Sequence, residues 1–224
     1  MGSSYDELKS KQSELIRKML DGSVFLAPIS APHIETLTSP EDGLLEPPPE
    51  DYGDLGHLSG DGAQFTAETE TSDVTSWGSV EPTRSDIVSD STQLQVTAQE
   101  TNLRTIGLYT GVSMDAIRAS RSGEVVIDKP TRPSPRYYRA LVLGVDLGDE
   151  GEIYIARHLP RCKVTAKEQQ SFQSGDDPFS WPVTLTGFTD SSLGFSERWF
   201  FGGPGWAALL EKMGIPRDGE SPSL

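Results

Sequence analysis

The clearest pattern in the chain is a two-residue alternation of apolar and polar positions between residues 63 and 200. In the segment STQLQVTAQETN, the apolar positions are Leu94, Val96 and Ala98. The polar positions between and beside them are Gln93, Gln95, Thr97 and Gln99. Because successive side chains of a strand point to opposite faces, this segment is predicted to be a strand with one buried and one wet face.

Further strands are predicted in the same region, separated by Gly, Pro and Asp. They are AQFTAETETSDVTSW, GEVVIDKP, RYYRALVLGVDL, EIYIARHLPRCKVTAKEQQSFQ and FSWPVTLTGFTD. One short helix is predicted over 111–121, with Met114 and Ile117 facing inward. About seven strands with one flanking helix predict a mainly β domain over 63–203, either a β-sandwich or a partly open barrel.

The N-terminus carries a different period. Leu8, Leu15, Ile16 and Met19 fall on one stripe at helical spacing, and Asp21-Gly22 follows as a stop signal. This pattern predicts a helix over residues 3–20, so that 1–22 is an N-terminal helical segment. The stripe is short and must dock either on its own domain or on a neighbouring molecule.

Residues 23–62 are rich in proline, glycine and acid, with three consecutive prolines at 47–49. Proline fixes φ and lacks a backbone donor, so this stretch is predicted to be an extended arm or loop. A disordered linker is the alternative. Leu44, Leu45 and Tyr52 favour an arm that becomes ordered on contact with another subunit. The last segment, 204–224, is predicted to be a brief C-terminal helix or arm.

The net charge of the chain is −15, and 15 acidic residues but only 4 basic ones lie in residues 1–73. Specific nucleic-acid binding is disfavoured, because such proteins present a basic surface to phosphates. The simpler interpretation of this charge is solubility. The single cysteine, Cys162, excludes an intrachain disulfide, and no apolar run is long enough to span a bilayer.

No arrangement of residues indicates catalysis. His33, His57 and His158 lack metal-ligand spacing and are interpreted as ordinary surface or turn residues. Cys162 lies between Arg161 and Lys163, which could lower its pKa, but a small residue on a strand is the favoured interpretation. We therefore predict that the chain is not an enzyme and has no catalytic residue, cofactor or metal.

Basic and aromatic residues alternate in one place, the segment TRPSPRYYRA at 131–140. A nucleic-acid groove is one interpretation. In a strongly acidic chain, however, Arg132, Arg136 and Arg139 are better explained as contacts to an acidic neighbouring subunit. Contacts between different surfaces of identical subunits drive self-assembly.

The order of motifs between residues 55 and 111 resembles a known family. The motifs are Gly56-His57-Leu58-Ser59-Gly60-Asp61-Gly62, Glu68 and Glu70, Trp77-Gly78, Arg84, Glu100-Thr101-Asn102 and Tyr109-Thr110-Gly111. The segment KVTAKEQQSFQSGDDPFSWPVTLTGFTD at 163–190 resembles the closing strands of the same family. Together they resemble the major tail tube proteins of siphoviruses, the phages with long non-contractile tails, especially those of actinobacteria.

The resemblance implies a β-sandwich with a flanking helix, six copies of which join into a ring around a β-lined channel. Rings would stack into a virion tail, assembled in the host cytoplasm, and the channel would hold DNA and a tape-measure protein. Tail-terminator and distal-tail proteins would be further partners, and no membrane is involved. Candidates to line the channel are Glu68, Glu70, Gln93, Gln95, Thr97 and Gln99. The alternative for these residues is an outer, solvated face.

Two other functions stay open at this point. One is a tail terminator or another ring-forming tail protein. The other, of a different class, is a monomeric β-sandwich that binds carbohydrate. Its groove would need exposed aromatic residues, for which the candidates are Tyr137, Tyr138, Trp181 and Trp199.

Overall fold

The computed structural model describes residues 4–131 and 134–219, which form a mainly β fold with few helices. The strands are β1 (Asp21–Pro28), β2 (Gly53–Asp54), β3 (Leu58–Val74), β4 (Arg84–Ala98), β5 (Tyr138–Gly148), β6 (Gly151–Lys167), β7 (Trp181–Gly187) and β8 (Arg198–Gly202). The α-helices are α1 (Tyr5–Leu8), α2 (Leu103–Thr110) and α3 (Pro204–Met213). Two short 3₁₀ turns lie at Ser13–Leu15 and Met114–Ala116. The predicted mainly β fold is confirmed.

All eight strands belong to one antiparallel sheet with the order β2-β1-β5-β6-β7-β4-β3. β6 is shared by two neighbours on the same side. Its first half, Tyr154–His158, pairs with β8, and its second half, Cys162–Lys167, pairs with β7. The long β3–β4 hairpin therefore forms one end of the sheet, and β1 with β2 forms the other.

The sheet curls so that its two ends share one core. Val24 and Leu26 of β1 are buried in the same cluster as Leu94 and Val96 of β4, although the two strands lie near opposite ends of the sheet. Burial of apolar surface is the main force that closes such a curl. Of the two predicted architectures, the single curled sheet corresponds to the partly open barrel.

A second core lies on the other face of β1, β5 and β6. Ala31, Ile34, Leu37 and Tyr52 pack there against Leu141, Tyr154 and Ala156. Part of the segment predicted to be an arm is thus covered by its own chain, and β1 and β2 also fall within its range. β1 was missed because Asp21-Gly22 resembles a helix stop, whereas all eight residues of β1 pair with β5.

The N-terminal helix predicted over 3–20 is present only as α1 and the 3₁₀ turn that follows; residue 3 lies outside the described residues. Leu8 and Ile16 of the predicted stripe are more than 70% exposed. The stripe has no apolar surface to bury, and a short isolated helix is only marginally stable in water. Instead, the Lys18 and Leu20 amides donate to Asp146 and Val145 of β5.

α2 precedes the position where a helix was predicted. Asn102 caps its first turn by accepting from the Arg104 and Thr105 amides, and Gly111 ends it in a left-handed conformation with a φ of 76°. The predicted helix over 111–121 is only the 3₁₀ turn Met114–Ala116. The predicted strand GEVVIDKP is likewise absent: Val125 makes one isolated bridge to Ala119, and Val126 is 72% exposed.

Candidate functional site

The candidate site is the face of the sheet opposite the first core, formed by β3, β4, β7 and the second half of β6. On β4 the residues Leu94, Val96 and Ala98 are buried. Their alternating neighbours Gln93, Gln95, Thr97 and Gln99 are half-buried on the opposite face. The alternation predicted for this strand is confirmed, and we refer to this side as the polar face.

Neutral hydrogen-bonding groups occupy the middle of the polar face. Gln93 and Gln95 of β4 pair with Thr186 and Thr184 of β7. The Thr186 hydroxyl in turn lies 2.7 Å from the Thr165 hydroxyl of β6. Amides and hydroxyls carry no net charge, so this part of the surface binds water without attracting or repelling ions.

Acidic residues mark the β3 side of the polar face. Glu68 and Glu70 are opposite Ser91 and Ser89 in the hairpin register. The Gln93 Nε2 donates to a Glu68 carboxylate oxygen over 2.9 Å, and the Ser89 hydroxyl donates to Glu70 over 3.4 Å. Both carboxylates are solvent-exposed and receive these bonds from uncharged donors. The structure thus places the predicted lumen residues Glu68 and Glu70 beside Gln93.

Basic residues mark the opposite, β6 side. The Arg161 guanidinium lies 4.2 Å from the centre of the Tyr137 ring, and the Lys163 ammonium lies 4.8 Å from the centre of the Phe188 ring. The two rings meet edge to face at 5.9 Å. Aromatic faces attract cations and hold these side chains in place. The polar face is therefore acidic at one end, neutral in the middle and basic at the other end.

The β3–β4 hairpin projects beyond the rest of the sheet, because every residue from 66 to 90 is exposed. Its tip turns through Gly78, whose φ is 84°. Trp77 and Val80 at the tip are fully exposed, at 106% and 101%. Large apolar side chains without cover on a projecting ribbon indicate a surface that contacts another molecule.

The three candidates on the proline-rich segment have different surroundings. Leu44 is 48% exposed, whereas Leu45 packs against the second core. Tyr52 is buried, its hydroxyl donates to the Pro32 carbonyl over 3.0 Å, and burial raises its pKa to about 12. Only Leu44 is thus placed at the surface, and the interpretation of Tyr52 as a surface contact is corrected to a core role.

The three candidate arginines also differ. Arg136 is exposed, and Arg132 lies outside the described residues. Arg139 is buried, pairs with Asp190 and donates to the Ala31 and Pro160 carbonyls. Its position inside the fold corrects the prediction that it contacts a neighbouring subunit. A buried arginine needs such internal partners, and sequence proximity to Arg136 did not reveal them.

Two groups considered for chemistry are inert in their surroundings. Burial raises the pKa of the Cys162 thiol to about 12, which outweighs the basic residues beside it in sequence. His158 is fully buried, so its interpretation as a surface residue is wrong. Burial lowers its pKa to about 4 despite a hydrogen bond between Nδ1 and the Ala140 carbonyl. Among the described residues, no group of three or more His, Cys, Asp or Glu is placed to hold a metal.

The four aromatics suggested for a carbohydrate groove are not brought together. Tyr138 is buried. Tyr137 packs on Phe188, Trp181 packs on Tyr109 and Phe179, and Trp199 stacks on Phe201. Each ring thus belongs to a separate local cluster rather than to one groove.

In the parts of the chain that the structure describes, no helix has the length and apolar character needed to cross a membrane.

Comparison with known proteins identifies the family. The family model described as phage tail tube protein matches residues 10–195, which is most of the chain. This is a family of structural proteins rather than enzymes, as predicted. No match is found among curated proteins. One matching solved structure is described as the tail of an empty GTA particle, computed with helical refinement and C6 symmetry. That chain is 11% identical, 62% of this chain and 84% of that chain are covered, and the TM-score is 0.31.

Proposed function

We propose that this chain, which belongs to the phage tail tube protein family, forms homohexameric rings that stack into the tube of a virion tail. Its role in the tail is structural. In the proposed assembly the tube surrounds a tape-measure protein and conducts DNA into the host. A tail terminator and distal-tail proteins would bind its two ends, and assembly would take place in the host cytoplasm.

The projecting β3–β4 hairpin is the observation that carries this proposal. An isolated two-stranded ribbon is marginally stable in water, and its outer strand offers unpaired backbone groups to other chains. Here β3 pairs with β4 alone, and the hairpin tip exposes Trp77 and Val80. Contact with neighbouring copies would bury the tip and use the free strand edge.

The composition of the polar face fits a channel wall, with its neutral centre of Gln93, Gln95 and Thr97. Uncharged amides and hydroxyls hold water without binding phosphate, and the carboxylates of Glu68 and Glu70 repel it. DNA would then pass without specific contacts. Orientation toward the lumen stays a proposal for all six candidate residues.

Segments outside the curled sheet would join successive rings. Leu44 on the proline-rich segment and Arg136 before β5 are exposed and are the remaining described candidates for subunit contacts. The proposed division of the chain keeps the N-terminal segment 1–22, the segment 23–62 and the C-terminal segment 204–224 as parts that contact neighbours. The motif resemblance supports a long non-contractile tail of the actinobacterial-phage type.

Negative-stain electron microscopy of the purified full-length chain tests the proposal. We expect long tubes of uniform width, with sixfold symmetry in end-on views. Particles that remain single rings would favour a tail terminator or another ring-forming tail protein. A chain that stays monomeric in light scattering at high concentration, and that binds glycans, would contradict the tube and favour a carbohydrate-binding module.

A further inference from the structure

Four strands form the polar face, and both outer edges of this four-strand unit are free. On one side, β3 pairs only with β4 over Gln64–Val74. On the other side, β6 is paired with β5 up to Cys162, and from Lys163 to Lys167 only β7 pairs with it within the described chain. Free edges are sites where another strand can add.

The two edges carry opposite charge on the same face of the sheet. Glu68 and Glu70 lie on the polar face at the β3 edge, and Arg161 and Lys163 lie on the polar face at the β6 edge. The four side chains would therefore meet on one side of a seam between two copies. Cross-strand pairs of opposite charge stabilise a sheet, and like charges in the same place destabilise it.

These charges lack ionic partners within the described chain. The ion pairs found there involve neither Glu68 and Glu70 nor Arg161 and Lys163. Glu168, a carboxylate close to the β6 edge, accepts a hydrogen bond from Gln95. The pKa of Lys167 is lowered by burial and by the neighbouring Lys129, so positive charge accumulates beside this edge. An acidic strand from another molecule would relieve that repulsion.

We propose that the β3 edge of one copy pairs with the Lys163–Lys167 edge of the next copy, with Glu68 and Glu70 facing Arg161 and Lys163. This pairing rests on the proposed function, since it is the contact that would close each ring. It joins two different surfaces of the same chain, and such heterologous contacts form closed rings when the rotation between copies closes.

Strand direction is consistent with this pairing. β3, β4, β7 and β6 alternate in direction, so β6 runs opposite to β3 within one copy. Rotation about a ring axis preserves the direction of each strand along that axis. The new pair would therefore be antiparallel, like every other pair in the sheet.

Charge reversal with rescue tests the pairing. The first variant carries Glu68→Lys and Glu70→Lys, the second carries Arg161→Glu and Lys163→Glu, and the third carries all four substitutions. Circular dichroism and thermal unfolding check that each is folded, and sedimentation with negative-stain microscopy measures assembly. The control, Asp149→Lys with Glu150→Lys, changes the charge by the same amount in the exposed β5–β6 turn.

We expect the first and second variants to raise the concentration needed for assembly by about tenfold or more, because attraction becomes repulsion at both pairs. The fourfold variant should assemble like the wild type. An equimolar mixture of the first two variants should also assemble, since alternating copies satisfy every seam in an even-membered ring. The control should assemble normally.

Normal assembly of the first or second variant would overturn the edge pairing alone, and so would a folded fourfold variant that fails to assemble. A wild-type chain that never assembles would overturn the proposed function, and the edge pairing with it. The wild-type measurement therefore separates the two failures.

Discussion

Arg139 and Asp190 form a buried ion pair in which Nη1 and Oδ2 are 3.3 Å apart. Serine 192 donates its hydroxyl and amide to the same carboxyl group, and these bonds, followed by Arg139, lower the pKa of Asp190 to about 2. Arg139 also satisfies the carbonyl oxygens of Ala31 and Pro160. One guanidinium thus ties together three segments that are distant in sequence.

Arg139→Met should lower the free energy of unfolding by about 3 kcal/mol or more, because it leaves a buried carboxylate and two carbonyls without their partner. Chemical denaturation of the unassembled chain measures this change. Arg136→Met is the matched control: this exposed arginine should change stability by less than about 0.5 kcal/mol. Equal effects of the two substitutions would contradict the internal role of Arg139.

His158 should make the chain less stable in mild acid. Its pKa is about 4 in the fold, against 6.5 for an ordinary histidine, so the unfolded chain binds more protons between these values. The stabilisation is complete above pH 6.5 and is lost as pH falls toward 4. Linkage gives a loss of about 2 kcal/mol between pH 7 and pH 5. Denaturant titrations at the two pH values measure it.

His158→Gln is the test of the cause. This variant is less stable at pH 7, but its stability should lose most of the dependence on pH between 7 and 5, because the buried side chain no longer titrates. An unchanged slope would mean that other groups, rather than His158, bind the protons.

The two faces of β4 should respond differently to truncation. Leu94→Ala removes a fully buried side chain from the first core and should cost about 3 kcal/mol. Gln93→Ala, one position earlier on the polar face, should cost less than about 1 kcal/mol, because it removes a half-buried side chain and one hydrogen bond to Glu68. Denaturation of both variants measures the contrast, and comparable losses would contradict the assigned orientation of β4.

The orientation of β4 could be predicted because it depends on a local signal. A two-residue alternation fixes which side chains share a face, as Leu94 and Gln93 illustrate, and tertiary contacts do not change this rule. The start of α2 also carries a local signal, since Asn102 and Thr105 form a capping box. The helix was assigned too late in the chain because Gly111 was taken to precede it rather than to end it.

Other features depend on contacts that no local pattern contains. β1 is a strand because β5 pairs with it, and its sequence follows an Asp-Gly that also fits a helix stop. Arg139 and Asp190 are separated by 51 positions, so their contact exists only in the folded chain. The charge difference between Glu68 on β3 and Lys163 on β6 likewise becomes a property of one face only when the strand order is known.

Trp77→Ser should impair assembly without destabilising the single chain. Trp77 is fully exposed at the hairpin tip, and no contact of its ring appears among the described residues, so the free energy of unfolding should change by less than about 0.5 kcal/mol. If a neighbouring copy buries the ring, its loss should raise the concentration required for tube formation by about tenfold or more. Sedimentation of a concentration series measures this threshold.

Val126→Ser is the control for Trp77→Ser, because Val126 is also a largely exposed apolar residue, at 72%, but lies outside the hairpin. It should assemble at the wild-type concentration. If Trp77→Ser also assembles at that concentration, the hairpin tip is not buried between copies. The free edge of β3, rather than the tip, would then be the only part of the hairpin still assigned to a subunit contact.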